Sequence, residues 1–162
     1  MTDTRLSRTE LGHDEDVLFA VADRLIAAMD EELEDEARVL AAATPGQRAV
    51  YLLFGAGAEI ADGGMVAWLE GAGGRSVGAA GAAAEHVGAA DHAAILREVD
   101  ALFPGGAAPA DDEARERALD LLGDEALARL DELEARWAAR EAELRGLLEA
   151  TVAAHPGEFF RD

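Results

Sequence analysis

The spacing of apolar residues is the feature that most restricts what this chain can fold into. From Glu15 onwards they recur at three- and four-residue steps, as at Leu18, Val21 and Leu25, which is the period of one face of an α-helix. No segment alternates apolar and polar residues as a half-buried strand does. The sequence therefore predicts an all-α fold of about six or seven helices.

Length and composition indicate a single compact domain. The chain has 162 residues, of which half are hydrophobic but only 5% are aromatic, so we expect closely packed helices around a modest core. Residues 1–12 are polar and lack the helical pattern. We expect them to form a mobile N-terminal tail, followed by one all-α domain over residues 13–162.

Local signals place several helix boundaries. A first helix is expected from Glu15 to Leu33. Thr44-Pro45-Gly46-Gln47 predicts a helix start, because Thr44 can cap, proline fits the first position and Gln47 completes a capping box. A long last helix is expected from Asp124 to Val152. Gly146 would bend it, and Phe159-Phe160 would fold back onto the core.

Charge is the second strong feature of the sequence. The chain has 34 acidic and 14 basic residues, every basic one arginine, for a net charge of −20. A small domain usually carries a net charge of about 2 to 8 in magnitude. Such a chain is repelled by nucleic acid and anionic membranes, so we expect neither as a direct partner. Its natural partners are cations or basic proteins.

The same acidity also has explanations without a partner. Salt-adapted proteins carry excess carboxylate with no lysine, a GC-rich genome yields alanine, arginine and glycine, and surface charge promotes solubility. These explanations stay open at the level of sequence.

The sequence also bears on the compartment. It contains no cysteine, which excludes disulfides and thiolate metal sites. Its N-terminus has no apolar segment after its charges, as a secretory signal would. We expect a cytoplasmic protein.

Motifs for catalysis, cofactors or metals are weak. The glycine-rich stretches lack phosphate-loop spacing, so no cofactor is expected. His13, His86, His92 and His155 form no tight ligand pair, so no metal is expected, and we assign His92 and His155 to surface or capping positions. Glu59 and Asp62 are the carboxyl groups that general acid chemistry would use. Buried hydrogen bonding and helix capping explain them better, and we expect no enzyme.

One motif stands out, EIADGGMVAWLEGAGG, from Glu59 to Gly74. It resembles the signature of the DNA mimic protein 19-like domain, an all-α bacterial family with the approximate pattern E-x-x-N-G-G-F-x-Q-[YF]-[FL]-x-N-x-x-G. The positions that fall on this pattern are Glu59, Gly63, Gly64, Trp68, Leu69 and Gly74.

The motif also departs from the family pattern. Asp62, Met65, Ala67 and Gly71 replace asparagine, phenylalanine, glutamine and a second asparagine. We therefore interpret the motif as a structural helix–helix corner. Gly63 would end one helix and Asp62 would cap the next, while Trp68 and Leu69 fill the core.

The resemblance implies a function. The family's named member is an acidic protein that presents carboxylates as double-stranded DNA presents phosphates, occupies the DNA-binding face of a transcription regulator, and acts as a dimer. Fold alone does not transfer such a role, but the net charge of −20 agrees with it.

Two acidic clusters are the expected contact surface for a basic, DNA-binding partner. Carboxylates at i and i+4 on a helix lie about 6 Å apart at Cβ, close to the phosphate step along one strand. The residues concerned are Asp30, Glu31, Glu32, Glu34, Asp35, Glu36, Asp111, Asp112, Glu113 and Glu116.

Three hypotheses follow from the sequence. The first is a non-enzymatic acidic interaction protein that occupies the DNA-binding face of a basic regulator. The second is a helical immunity-type or structural partner whose acidity reflects solubility or salt adaptation. The third and least supported is a small enzyme that uses Glu59 or Asp62.

Overall fold

The computed structural model describes residues 3–29 and 35–162. Within them the fold is all-α, as predicted. The β-type pairing in this part of the chain is a single isolated parallel bridge between Leu6 and Phe160. The helices are α1 (Val17–Ile26), α2 (Glu36–Ala42), α3 (Pro45–Glu70), α4 (Val77–His86), α5 (Ala90–Ala101), α6 (Asp112–Asp120), α7 (Asp124–Ala139), α8 (Glu141–Ala154) and α9 (Pro156–Phe159), with 3-10 turns at Ala72–Ser76 and Pro104–Gly106.

The long helix α3 is the centre of the core. It contacts α1, α4, α6, α7, α8 and α9. Its buried residues recur at helical spacing, and Ala49, Val50 and Leu53 are fully covered. Because this one helix touches most of the others, its position determines where the rest of the chain packs.

The predicted start of α3 is confirmed. The Thr44 hydroxyl accepts from the Gln47 amide at 3.1 Å, and the Gln47 side chain accepts from the Thr44 amide at 3.1 Å. Glu158 adds a third contact by accepting from the Gly46 amide at 2.6 Å. A Cβ on Gly46 would lie 2.5 Å from the Phe159 ring, so only glycine allows this approach. Phe159 is fully buried, as predicted.

Helix α3 is also long and apolar enough, by length and composition, to cross a membrane. In this fold it is the central core helix, and the core helix of a water-surrounded protein passes the same test.

The expected mobile N-terminal tail is held in place over its described part. The Leu6 amide donates to the Phe159 carbonyl at 2.8 Å, and the Arg161 amide donates to the Leu6 carbonyl at 3.0 Å. The Ser7 hydroxyl donates to the Asp162 carboxylate at 2.6 Å. Backbone pairing to the C-terminus, which leaves no sequence pattern, accounts for this difference.

Among the described residues there are more helices than the six or seven predicted, because the expected last helix is divided and because the short helices α2 and α9 were not predicted. Helix α1 ends at Ile26, before the expected end at Leu33. The expected last helix breaks at Arg140 (φ −117°, ψ 11°) into α7 and α8. Gly146 lies inside α8 and does not bend it.

Candidate functional site

The double glycine forms the predicted corner within α3. Gly64 has φ 89° and ψ 168°, a conformation that is essentially restricted to glycine. The helix axis changes direction there, and Met65 starts a second helical segment that ends at Glu70. The break lies at Gly64, one residue later than the predicted end at Gly63.

The second segment is capped by a residue that sequence reasoning missed. The Met65 amide donates to Glu134 Oε2 of α7 at 2.8 Å. A Cβ on Gly64 would lie 3.1 Å from the same oxygen, so the glycine also makes room for the carboxylate. Asp62 is exposed and does not cap this segment. The prediction for Asp62 was therefore wrong, because a carboxylate from another helix takes the role.

Three further motif residues, Trp68, Leu69 and Gly74, lie in the core. Trp68 and Leu69 are buried at 2% and 0% exposure. A side chain on Gly73 would overlap the Trp68 indole, and one on Gly74 would overlap the Leu69 carbonyl. These close contacts support the structural interpretation of Trp68, Leu69 and Gly74.

A buried arginine closes the C-terminal end of α3. Arg115 of α6 is 1% exposed, and its Nε donates to the Leu69 carbonyl at 2.7 Å. Its terminal nitrogens donate to the carbonyls of Gly71 at 3.1 Å and Pro109 at 2.8 Å. The carbonyl end of a helix attracts a cation. The guanidinium therefore joins α3, α6 and the loop before α6.

Most of the first predicted contact cluster cannot be placed. Asp30, Glu31, Glu32 and Glu34 lie outside the described residues. Asp35 precedes α2 and pairs with Arg38. Glu36, in the first turn of α2, accepts from the Tyr51 hydroxyl at 2.8 Å.

The second predicted cluster lies at the start of α6, and arginines hold two of its members. Asp112 accepts from Arg75 and from Arg115, which lower the pKa of its carboxyl group. Glu113 lies 3.5 Å from Arg117. Asp111 and Glu116 are exposed, and neither pairs with a described arginine. The cluster is therefore only partly free to meet an external cation.

Arginines neutralise much of the acidity on the other helices. Glu98 of α5 pairs with both Arg129 and Arg136, which lower the pKa of Glu98 by hydrogen bonding, Arg136 foremost. Arg140 pairs with Asp91 at 3.0 Å and with Glu143 at 2.9 Å.

The exposed acids of the described α6 and α7 that have no arginine partner are Glu116, Asp120, Asp124, Glu125 and Asp131.

A cavity of about 200 Å³ lies beside α3. Glu36, Tyr51, Glu59 and Trp68 are among its lining residues. Burial and the neighbouring Glu36 raise the pKa of Glu59, although its side chain remains exposed at the rim. A raised carboxyl pKa is one requirement of a general acid, but no described group hydrogen-bonds Glu59 to orient it.

His92 is buried, which corrects its assignment to the surface. It is 2% exposed and meets Trp137 edge to face at 4.6 Å. His155 is exposed just before α9. Within residues 3–29 and 35–162, no group of three or more His, Cys, Asp or Glu side chains is arranged to hold a metal ion.

Together these features define an acidic all-α protein with a glycine-dependent corner in its central helix. A model of the DMP19-like protein family matches residues 41–155, more than half of the chain. The chain therefore belongs to the DMP19-like protein family, and the resemblance of its double-glycine motif to the DNA mimic protein 19-like domain is confirmed. No curated protein and no solved structure matches it.

Proposed function

We propose that this protein is a non-enzymatic, cytoplasmic interaction protein that binds a basic DNA-binding protein and occupies its DNA-binding face. The observation that carries the proposal is the row of exposed α6 carboxylates without an arginine partner, in a chain of net charge −20 that belongs to the DMP19-like protein family.

The row on α6 has the spacing that mimicry requires. Glu116 and Asp120 are four residues apart, so their Cβ atoms lie about 6 Å apart on one face. Protein surfaces that bind DNA hold the backbone largely through arginine and lysine contacts to phosphates. Carboxylates at this spacing offer such a surface successive negative charges, and complementary charge speeds association.

Exposed acids without an arginine partner lie on α7 as well as on α6, but those of α7, Asp124, Glu125 and Asp131, are not four residues apart as Glu116 and Asp120 are. A carboxylate that already holds an arginine gives a partner less net attraction, as for Glu98 and Asp91. Glu116 and Asp120 have no competing arginine among the described residues. Both lie within the part of the chain that the family model matches.

The cluster from Asp30 to Glu36 belongs to the proposed contact on sequence grounds alone. It precedes the family match, which begins at residue 41. The dimer that the resemblance implies is likewise part of the proposal, and sedimentation equilibrium would test it.

The proposal is tested by capture from cytoplasmic extract. The protein is immobilised, extract is passed over it at low salt, and elution uses duplex DNA before salt. We expect a DNA-binding protein in the DNA eluate, because the duplex competes for the same face. If duplex DNA releases no protein and salt then does, the retained proteins bind by another surface and the proposal fails.

Charge variants make this capture specific. Glu116→Lys with Asp120→Lys should reduce retention of the eluted protein by at least about tenfold at low salt. The control, Asp14→Lys with Asp62→Lys, changes the net charge equally at exposed positions that have no arginine partner. Equal loss in both variants would indicate that only total charge matters. Folding only in molar salt, seen by far-ultraviolet circular dichroism, would instead favour salt adaptation.

A further inference from the structure

The cavity beside α3 has apolar walls and an acidic side. It lies between α1, α2, both segments of α3, the 3-10 turn Ala72–Ser76 and α4. Its volume is about 200 Å³, enough for one long side chain rather than a helix. Ile26 is 49% exposed and Glu59 is also exposed, so these residues mark its mouth. The apolar wall is formed by Ala22, Ile26, Leu52, Ala56 and Ala80.

The carboxylates of Glu36 and Glu59 line the cavity. Glu36 accepts a hydrogen bond from the Tyr51 hydroxyl at 2.8 Å. Glu59 lies close enough to Glu36 for the charge of Glu36 to raise its pKa, after the larger effect of burial. The charge of Glu36 also contributes to the raised pKa of Arg75, after the larger effect of Asp112. The Arg75 guanidinium, however, donates its hydrogen bonds to Asp112. Among the residues that the structure describes, no arginine lines the cavity. A cation from outside the chain would offset the repulsion between the two carboxylates.

A hydrogen-bond donor also borders the cavity. Trp68 is 2% exposed and lines the cavity wall next to Gly73. Its indole N–H has no hydrogen-bond partner among the described residues, and it is not one of the fully enclosed atoms that lack one, so it is open to the cavity. An indole N–H can donate to a ligand there. A ligand that carries a carbonyl oxygen near its cationic group would supply the acceptor.

We infer that this cavity binds an arginine side chain of the protein partner, with the guanidinium between Glu36 and Glu59. The planar guanidinium has five donors and pairs well with carboxylates, and the Tyr51 hydroxyl oxygen is a further acceptor. The apolar wall covers the aliphatic stem, and a peptide carbonyl of the same residue reaches Trp68. This inference rests on the proposed function for the source of the arginine.

Isothermal titration with Nα-acetyl-arginine methylamide tests the site directly. We expect weak, saturable binding at one site per chain, accompanied by a change in tryptophan fluorescence because Trp68 lines the cavity. The blocked citrulline analogue has the same shape but no charge, and it should not bind. Absence of saturable binding, or equal binding of the citrulline compound, would overturn the inference.

Two variants locate the binding. Glu59→Gln keeps the shape of the side chain and should weaken binding of the blocked arginine by about tenfold, as expected for a hydrogen bond to a charged group. The control Glu70→Gln changes an exposed carboxylate that does not line the cavity, and it should bind as the unmodified protein does. Equal affinity of Glu59→Gln and the unmodified protein would overturn the assignment.

This result is independent of the capture experiment. Release of a DNA-binding protein by duplex DNA, without binding of the blocked arginine, would leave the proposed function standing and reject the cavity as its arginine site. Binding of the blocked arginine that Glu59→Gln weakens supports the cavity site even if extract yields no DNA-binding protein.

Discussion

Glu134 of α7 accepts a hydrogen bond at 2.8 Å from the amide of Met65, 69 residues earlier in the chain. The acceptor lies where a local N-cap would lie in an ordinary helix, since Met65 starts the second segment of α3. A contact between distant residues therefore fixes both the direction of the corner and the position of α7.

Removal of this carboxylate should destabilise the fold. Glu134→Ala leaves the Met65 amide without its acceptor, and loss of a cap lowers the free energy of unfolding by about 1–2 kcal/mol. Asp131→Ala removes an exposed carboxylate from the same helix and should change it by less than about 0.5 kcal/mol. Urea denaturation followed by circular dichroism measures both. Equal stability of the two variants would contradict the cap.

Alanine at two glycines should have effects of opposite sign. Gly64→Ala forces a Cβ into a backbone conformation with φ 89° and towards Glu134, so it should lower the free energy of unfolding by at least about 1 kcal/mol. Gly78 lies in α4 with open space around its Cβ position. Gly78→Ala should raise the free energy of unfolding by about 0.5–1 kcal/mol. Thermal melts of both variants check the signs, and a neutral Gly64→Ala would refute the corner.

Arg115 should be among the most sensitive positions for stability. Arg115→Met has a similar length, but it leaves the carbonyls of Leu69, Gly71 and Pro109 without their donor. Each buried, unsatisfied group costs about 1–3 kcal/mol, so the variant should lose more than about 3 kcal/mol or fail to fold. Arg117→Met removes an exposed arginine from the same helix and should fold normally. A stable Arg115→Met protein would show that water replaces the guanidinium.

His92 should make stability depend on pH. Burial lowers the pKa of His92 against the opposing effects of Glu143 and Asp91, while Arg140 lowers it further. The unfolded chain therefore binds the proton more readily, so the free energy of unfolding falls as pH drops below about 6.5. The loss from this group should appear between about pH 7.5 and about pH 5.5, the range around the pKa of histidine in the unfolded chain.

The variant His92→Leu isolates this contribution, because the exposed histidines are present in both proteins. Denaturant titrations at the two pH values should show a smaller loss for His92→Leu than for the unmodified protein. The same loss in both proteins would mean that His92 has the same pKa in the folded and the unfolded chain, and would contradict the prediction.

The sequence predicted those features that depend on neighbouring residues. The Thr44 capping box involves residues three positions apart, and the corner at Gly63-Gly64 needs only the glycines and their motif. The break before α8 also had a local sign, since Glu141 and Glu143 favour a helix N-terminus. The apolar spacing continued across Arg140, however, so one long helix was predicted.

The features that sequence reasoning missed depend on distant partners. In the sequence, Glu134 and Arg115 look like ordinary surface residues of acidic helices. The amide that donates to Glu134 and the carbonyl of α3 that accepts from Arg115 are backbone groups far away in the chain. Arginine pairing also decides which acids of the Asp111–Glu116 cluster remain free, and composition cannot reveal it. The contact role of the predicted acids remains a prediction.

The most direct test of the account is competition on DNA. The DNA-binding protein captured from extract is bound to a fluorescent duplex, and this acidic protein is added while anisotropy is followed. We predict that anisotropy falls to the value of the free duplex, and that Glu116→Lys with Asp120→Lys requires at least about tenfold more protein. Anisotropy that stays high or rises as the acidic protein binds would show a ternary complex, and would contradict occupation of the DNA-binding face.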